Sequence, residues 1–125
     1  MTELVTLQAV ALDCEDAVAL AEFYAALLGA KANTEDPEWT EVTLDSGLAL
    51  AFQQVADHRP PQWPDPAHPQ QFHLDFRVPD IEAAQQHALS LGATFIEDRL
   101  RPDGTGWRVF TDPAGHPFCL CVCSS

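Results

Sequence analysis

His73, Asp75 and Arg77 alternate along one run of the chain, so in an extended strand their side chains point to the same side. An imidazole, a carboxylate and a guanidinium on one face can orient a polar ligand, or can satisfy one another together with Arg108 and nearby acids. Cys119, Cys121 and Cys123 alternate in the same way along a second run. Same-face neighbours there lie about 6.5 to 7 Å apart, a poor distance for a disulfide. No CxxC occurs, which argues against dithiol redox catalysis, and Cys14 is remote in sequence. The four cysteines fit a reducing compartment. His116 precedes a proline in the turn DPAGHPF and reads as a loop residue, while His58 and His68 read as solvated.

Two stretches of similar pattern position these groups. FYAALLGA ends at Ala30 and QQHALSLGA ends at Ala93, each after an apolar strand candidate and a helix-opening acid. Gly29 and Gly92 are 63 apart, whereas Trp39 to Trp107 and Gly47 to Gly115 are both 68 apart. The order is therefore shared, with about five residues more in the second copy, and a pair of such copies implies a pseudo-twofold domain rather than a solenoid.

In the first copy the pattern predicts a strand over 4–12, with Val5, Leu7, Ala9 and Ala11 on one face. A helix over 17–28 follows, opened by the acids of 13–16 and stopped by Gly29. Strands are then expected over 30–34, 39–44 and 48–55, with Asp45-Ser46-Gly47 turning between the last two. The second copy predicts a strand over 71–78 and a helix capped by Asp80, with Ile81, Ala84, Ala88 and Leu91 on one side. Its strands are expected near 94–100, 107–111 and 117–124. Between the copies, ADHRPPQWPDPAHPQ (56–70) holds five of the ten prolines and reads as a stiff linker or lid, where Trp63 is a candidate cover for a pocket.

The chain of 125 residues suits one domain. Its formal charge of −13 would repel phosphate backbones, so no nucleic-acid partner is expected, and the same field favours cationic ligands. No apolar run approaches the ~20 residues that span a bilayer. The expected location is the cytoplasm, with no membrane association.

The paired βαβββ order, FYAALLGA, FHLDFRVPDIEAA and TDPAGHPFCLCV together resemble the vicinal oxygen chelate superfamily, which includes glyoxalase I, extradiol dioxygenases and bleomycin-resistance proteins. The resemblance implies an α+β fold in which two βαβββ modules form a glyoxalase-like open barrel with an internal cavity. One domain would span 1–125, with module one at 4–55, the linker at 56–70 and module two at 71–125. It also implies metal ligands on the first and last strand of each module. Carried onto this sequence, those positions are Ala9, Ala51, His73 and Cys119. Neither alanine can ligate, and Cys119 stands where the family usually has a glutamate, so no cofactor is expected. Imidazole and thiolate are nevertheless zinc ligands by type, and Gln53 or Asp75 would add an oxygen, which leaves His73, Cys119 and Gln53 as weak metal candidates.

The resulting expectation is a small-molecule-binding protein of the bleomycin-resistance kind, without the usual metal site. Its cavity would be lined by Ala9, Ala51, Gln53, His73, Asp75, Arg77, Trp39, Trp107, Cys119 and Trp63. The alternative is a metal-dependent lyase, isomerase or dioxygenase using His73. A homodimer is expected by analogy, because open sheets leave edges to be covered.

Overall fold

The first and last strands of each repeat lie side by side and parallel, an arrangement that requires a crossover and sets the course of the chain between them. In the computed structural model, which describes residues 4–62, 64–65, 67 and 72–123, the first repeat runs β1 (Ala9–Cys14), α1 (Ala17–Leu28), β2 (Ala32–Asn33), β3 (Trp39–Thr43) and β4 (Ala49–Gln54). The second runs β5 (Leu74–Arg77), α2 (Ile81–Ser90), β6 (Thr94–Leu100), β7 (Gly106–Thr111) and β8 (Pro117–Val122). Two mixed four-stranded sheets result, ordered β1-β4-β3-β2 and β5-β8-β7-β6. The chain divides into two compact units, Met1–His58 and Arg59–Ser125. No helix among the described residues is long and apolar enough to cross a membrane.

In the first unit, Asp16 caps α1 by accepting from the Ala19 amide at 3.0 Å, and Gly29 ends the helix at φ +66. Such caps are worth ~1 kcal/mol. The buried side of α1 carries Leu20, Phe23 and Tyr24, and Tyr24 stacks on Phe52 of β4 with centroids 5.4 Å apart. Thr40, fully buried on β3, donates its hydroxyl to the Ala17 carbonyl at 2.7 Å, so its polar atom costs nothing in the core. The predicted strand over 4–12 begins late and runs further, at Ala9–Cys14. The reason is its partner: β4 begins at Ala49 opposite Ala9 and continues to Gln54 opposite Cys14. Among the described residues no strand pairs with Leu4, Val5 or Leu7, and all three are exposed.

In the second unit, Asp80 caps α2 through the Ala83 amide at 3.2 Å. Only Ala88 of the expected apolar face is fully buried. The helix is tied to its sheet by charge as well: the Arg108 guanidinium on β7 reaches Glu82 and Gln85, both at 2.9 Å, and Asp98 on β6. Beneath it, Phe110 stacks on Phe118 at 5.6 Å, with Phe76 and Phe95 edge-on to that pair. Arg59 onward belongs to the second unit, and Pro60 packs so closely on Gly115 that a side chain there would meet its Cβ at 2.5 Å. Trp63 and His68 lie outside the described residues.

The β7–β8 turn hangs on one carboxylate. Asp112, 3 % exposed, accepts from the amides of Ala114 and His116 at 2.8 and 3.1 Å, and its second oxygen faces His116 Nδ1 at 2.9 Å. His116 therefore serves the turn, as its place before a proline implies. Removing the carboxylate strands buried amides, and Asp112→Ala is expected to lower stability by about 1–3 kcal/mol in urea denaturation. The exposed Glu22→Ala on α1 is expected to change it by no more than about 0.5 kcal/mol.

Candidate functional site

Because side chains alternate across a strand, each sheet has one face toward its helix and one face turned away. On β4, Phe52 meets α1 and Gln54 accepts from the Ala17 amide at 3.2 Å, so Ala49, Ala51 and Gln53 point the other way. Register adds Trp39, which lies opposite Gln53, and Ala11, which lies opposite Ala51. On β8, Phe118 and Leu120 face the α2 side, which leaves Cys119 and Cys121 on the far face. Asp75 pairs with Cys119 across the parallel strands, and Trp107 pairs with Cys121 across the antiparallel ones.

The two registers correspond. Counting from Gly47 and Gly115, Ala51 matches Cys119; their β1 and β5 partners, Ala11 and Asp75, match in turn, and two residues earlier so do Ala9 and His73. Three side chains able to ligate or move protons in the second sheet thus have three alanines as counterparts in the first. Trp39 and Trp107 also match, although their surroundings differ. The Trp39 indole donates to Glu41 at 2.9 Å, whereas the Arg101 guanidinium lies 5.7 Å from the centre of the Trp107 ring.

The far face of the second sheet holds a cavity of about 430 Å³. His73, Asp75, Trp107 and Cys119 line it, together with Pro64, Glu97, Arg99, Val109 and Cys121. Arg77 is exposed and is not among these lining residues, and Ala9, Ala51, Gln53 and Trp39 belong to the first unit. Glu97, Arg99 and Cys121 were not in the cavity lining expected from the sequence. Cys121 was available from its alternation with Cys119. Glu97 was not, because a bulge at Ile96 shifts the β6 register between Phe95 and Glu97. Phe95 then sets its ring edge-on to Phe110 while staying exposed on its outer side, and Glu97, two residues on, pairs with Val109 on the cavity face.

Within the cavity, His73 Nε2 lies 3.0 Å from Asp75, and Arg99 Nε pairs with Glu97 at 2.8 Å. That partner raises the Arg99 pKa, first by its hydrogen bond and then by its charge. Burial first, and then the charge of Asp75, push the Cys119 thiol up to about 12 and the Cys121 thiol up to about 11. Both are protonated at neutral pH, so neither is a ready nucleophile. One ligand atom from each of His73, Asp75 and Cys119 can come within 4.8 Å of the others.

The four-position metal set of the superfamily does not suit this chain. Ala9 and the fully buried Ala51 offer no donor atoms, and a thiol at Cys119 replaces a carboxylate.

The model of the glyoxalase-like domain family matches residues 9–121. Among solved structures, the chain is similar to a glyoxalase-related enzyme from Fulvimarina pelagi, at 18% identity over 96% of this chain and 89% of that one, with a TM-score of 0.71. It is similar to a glyoxalase/bleomycin resistance protein/dioxygenase family enzyme from Burkholderia phytofirmans PsJN, at 19% identity over 94% and 98%, with a TM-score of 0.72. A glyoxalase/dioxygenase from Nostoc punctiforme matches at 19% identity over 98% and 93%, also with a TM-score of 0.72. At these identities the likeness concerns the fold. Among curated proteins none matches.

The thiols carry a pH dependence whose sign is fixed. Their folded pKa values lie above the ordinary 9.0, so the folded state keeps protons that the unfolded chain gives up. The stabilisation is complete below about pH 9 and is lost as pH climbs toward the folded values. Urea unfolding at rising pH is expected to show this alkaline decline, and a Cys119→Ser/Cys121→Ser double variant to show a shallower one.

Proposed function

The chain belongs to the glyoxalase-like domain family of the vicinal oxygen chelate superfamily, and from that premise we propose that it binds a small organic cation in the second-sheet cavity without the superfamily's usual metal set. The observation that carries this reading is the composition of the cavity: one indole face, apolar walls, and acids in excess of bases. Arg99 neutralises Glu97, and the exposed Asp75 carboxylate is the charge a ligand meets. An apolar pocket with a few placed polar groups is enough for affinity without any reaction. Trp107 lines the cavity and supplies an aromatic face for the ligand's apolar part. The charge of −13 raises the local concentration of cations. Location in the cytoplasm and assembly as a homodimer form part of the same reading, by analogy with the family.

A second reading, a metal-dependent lyase, isomerase or dioxygenase, has the His73–Asp75 pair in its favour as an acid–base couple. It lacks donors at two of the four expected positions. It calls for turnover that disappears in His73→Ala, where the binding reading calls for stoichiometric capture and no product.

Thermal shift and calorimetry of the metal-free protein against aromatic amines and cationic glycopeptides check the proposal. A true ligand at a hundredfold excess over Kd is expected to add about 2.7 kcal/mol of stability. Trp107→Ala and Asp75→Asn should each weaken it by roughly tenfold or more, which corresponds to about 1.4 kcal/mol. A panel with no stabilising member would sink the idea.

A further inference from the structure

We infer that the cavity selects an amphoteric ligand, an aromatic amine that also carries a carboxylate, with the amine toward Asp75 and the carboxylate on the Arg99 guanidinium. This rests on the proposed cation-binding reading and adds the ligand's second pole, together with the residue that reads it.

Strand register turns the cavity face into a grid with its charges at the ends. One row across the sheet runs Asp75, Cys119, Val109 and Glu97, and the next runs Arg77, Cys121, Trp107 and Arg99. The middle of both rows is thiol, isopropyl and indole, while the acids and guanidiniums stand on the outer strands β5 and β6. Arg77 does not line the cavity, so its β5 side carries Asp75 and its β6 side carries Arg99 with Glu97. On a flat sheet, three strand spacings of about 4.8 Å and one two-residue step of about 6.7 Å separate the Asp75 and Arg99 backbones by roughly 16 Å. With both side chains lining the same cavity, the span left between their charged groups suits an aromatic ring substituted at each end. The Asp75 and Arg99 side chains are largely exposed, whereas Cys119 and Val109 between them are buried. A ligand's ring is thereby enclosed while its two poles stay near water, which limits the cost of burying charge.

The pairing of Arg99 leaves it able to read an anion. Its Nε is held by Glu97 at 2.8 Å, and among the described residues Glu97 is its only partner, so both terminal nitrogens keep their hydrogens for a ligand. A guanidinium anchored through Nε presents those two nitrogens end-on, the geometry that takes a carboxylate through parallel hydrogen bonds. Arg99 is also the direct strand partner of Trp107, which sets the fork beside the indole that receives the ligand's ring. A simple anion is a poor occupant, because Glu97 offsets the Arg99 charge and the chain carries −13 overall. A ligand whose own amine meets Asp75 is neutral overall and escapes that repulsion.

Calorimetric titration of the full chain with benzylamine, para-aminomethylbenzoate and its longer homologue para-aminomethylphenylacetate tests this. The aminocarboxylate of better length should bind at least about tenfold tighter than benzylamine, as expected when charge-assisted hydrogen bonds are added. Arg99→Gln should remove that gain and leave benzylamine binding unchanged, whereas Arg77→Gln, which deletes the same charge outside the cavity, should keep it. Circular dichroism checks that both variants are folded, as substitution of exposed side chains leads one to expect. Absence of a gain with both homologues, a gain that survives Arg99→Gln, or an equal loss in Arg77→Gln overturns the inference. Benzylamine alone, with its weakening by Asp75→Asn, reads the proposed function, so either can fail while the other stands.

Discussion

Everything in each unit depends on the parallel pairing of its first and last strands. A hairpin cannot join parallel neighbours, so the chain must leave the sheet, pass through a helix on one face, and return through two further strands. That detour covers one face of the sheet and leaves the other for different work. In the second unit, pairing Asp75 with Cys119 places the carboxylate beside the thiol, and no loop is needed to bring them together. The chemistry of the site is thus a product of strand register.

Much of this was legible in the residues. The helix caps Asp16 and Asp80 and the terminating Gly29 could be read because caps are local, requiring particular side chains at particular places. The matching of Ala51 with Cys119 followed from the glycines that precede both. Strand ends were less legible. The length of β1 is set by β4, some forty residues away, and nothing in Leu4, Val5 or Leu7 reveals that β4 begins at Ala49. The bulge at Ile96 was invisible for a related reason. Strict alternation would put Phe95 and Glu97 on one face, and no residue type in the run marks Ile96 as the place where it breaks.

Asp75 links the electrostatics of the cavity to its packing. It stands 3.0 Å from His73, and its charge reinforces burial in holding two thiols protonated. A carboxylate left alone among apolar walls would be expensive, whereas this one is exposed to solvent on one side and shared among hydrogen-bonding neighbours on the other. Glu97 and Arg99 form a separate couple on β6, at the other edge of the sheet, so the charge left over in the polar lining is concentrated at Asp75.

The three alanines of the first sheet carry a consequence for how the halves tolerate change. Ala9, Ala11 and Ala51 keep the backbone that His73, Asp75 and Cys119 occupy in the second sheet, but they bring no polar atom that must find a partner. A substitution on that first face is answered in volume alone. In the second sheet the same step also disturbs proton placement and charge balance, so mutational tolerance is unequal between two halves of equal architecture. Symmetry of fold here coexists with asymmetry of constraint: the first face is constrained by volume, and the second by volume and charge together.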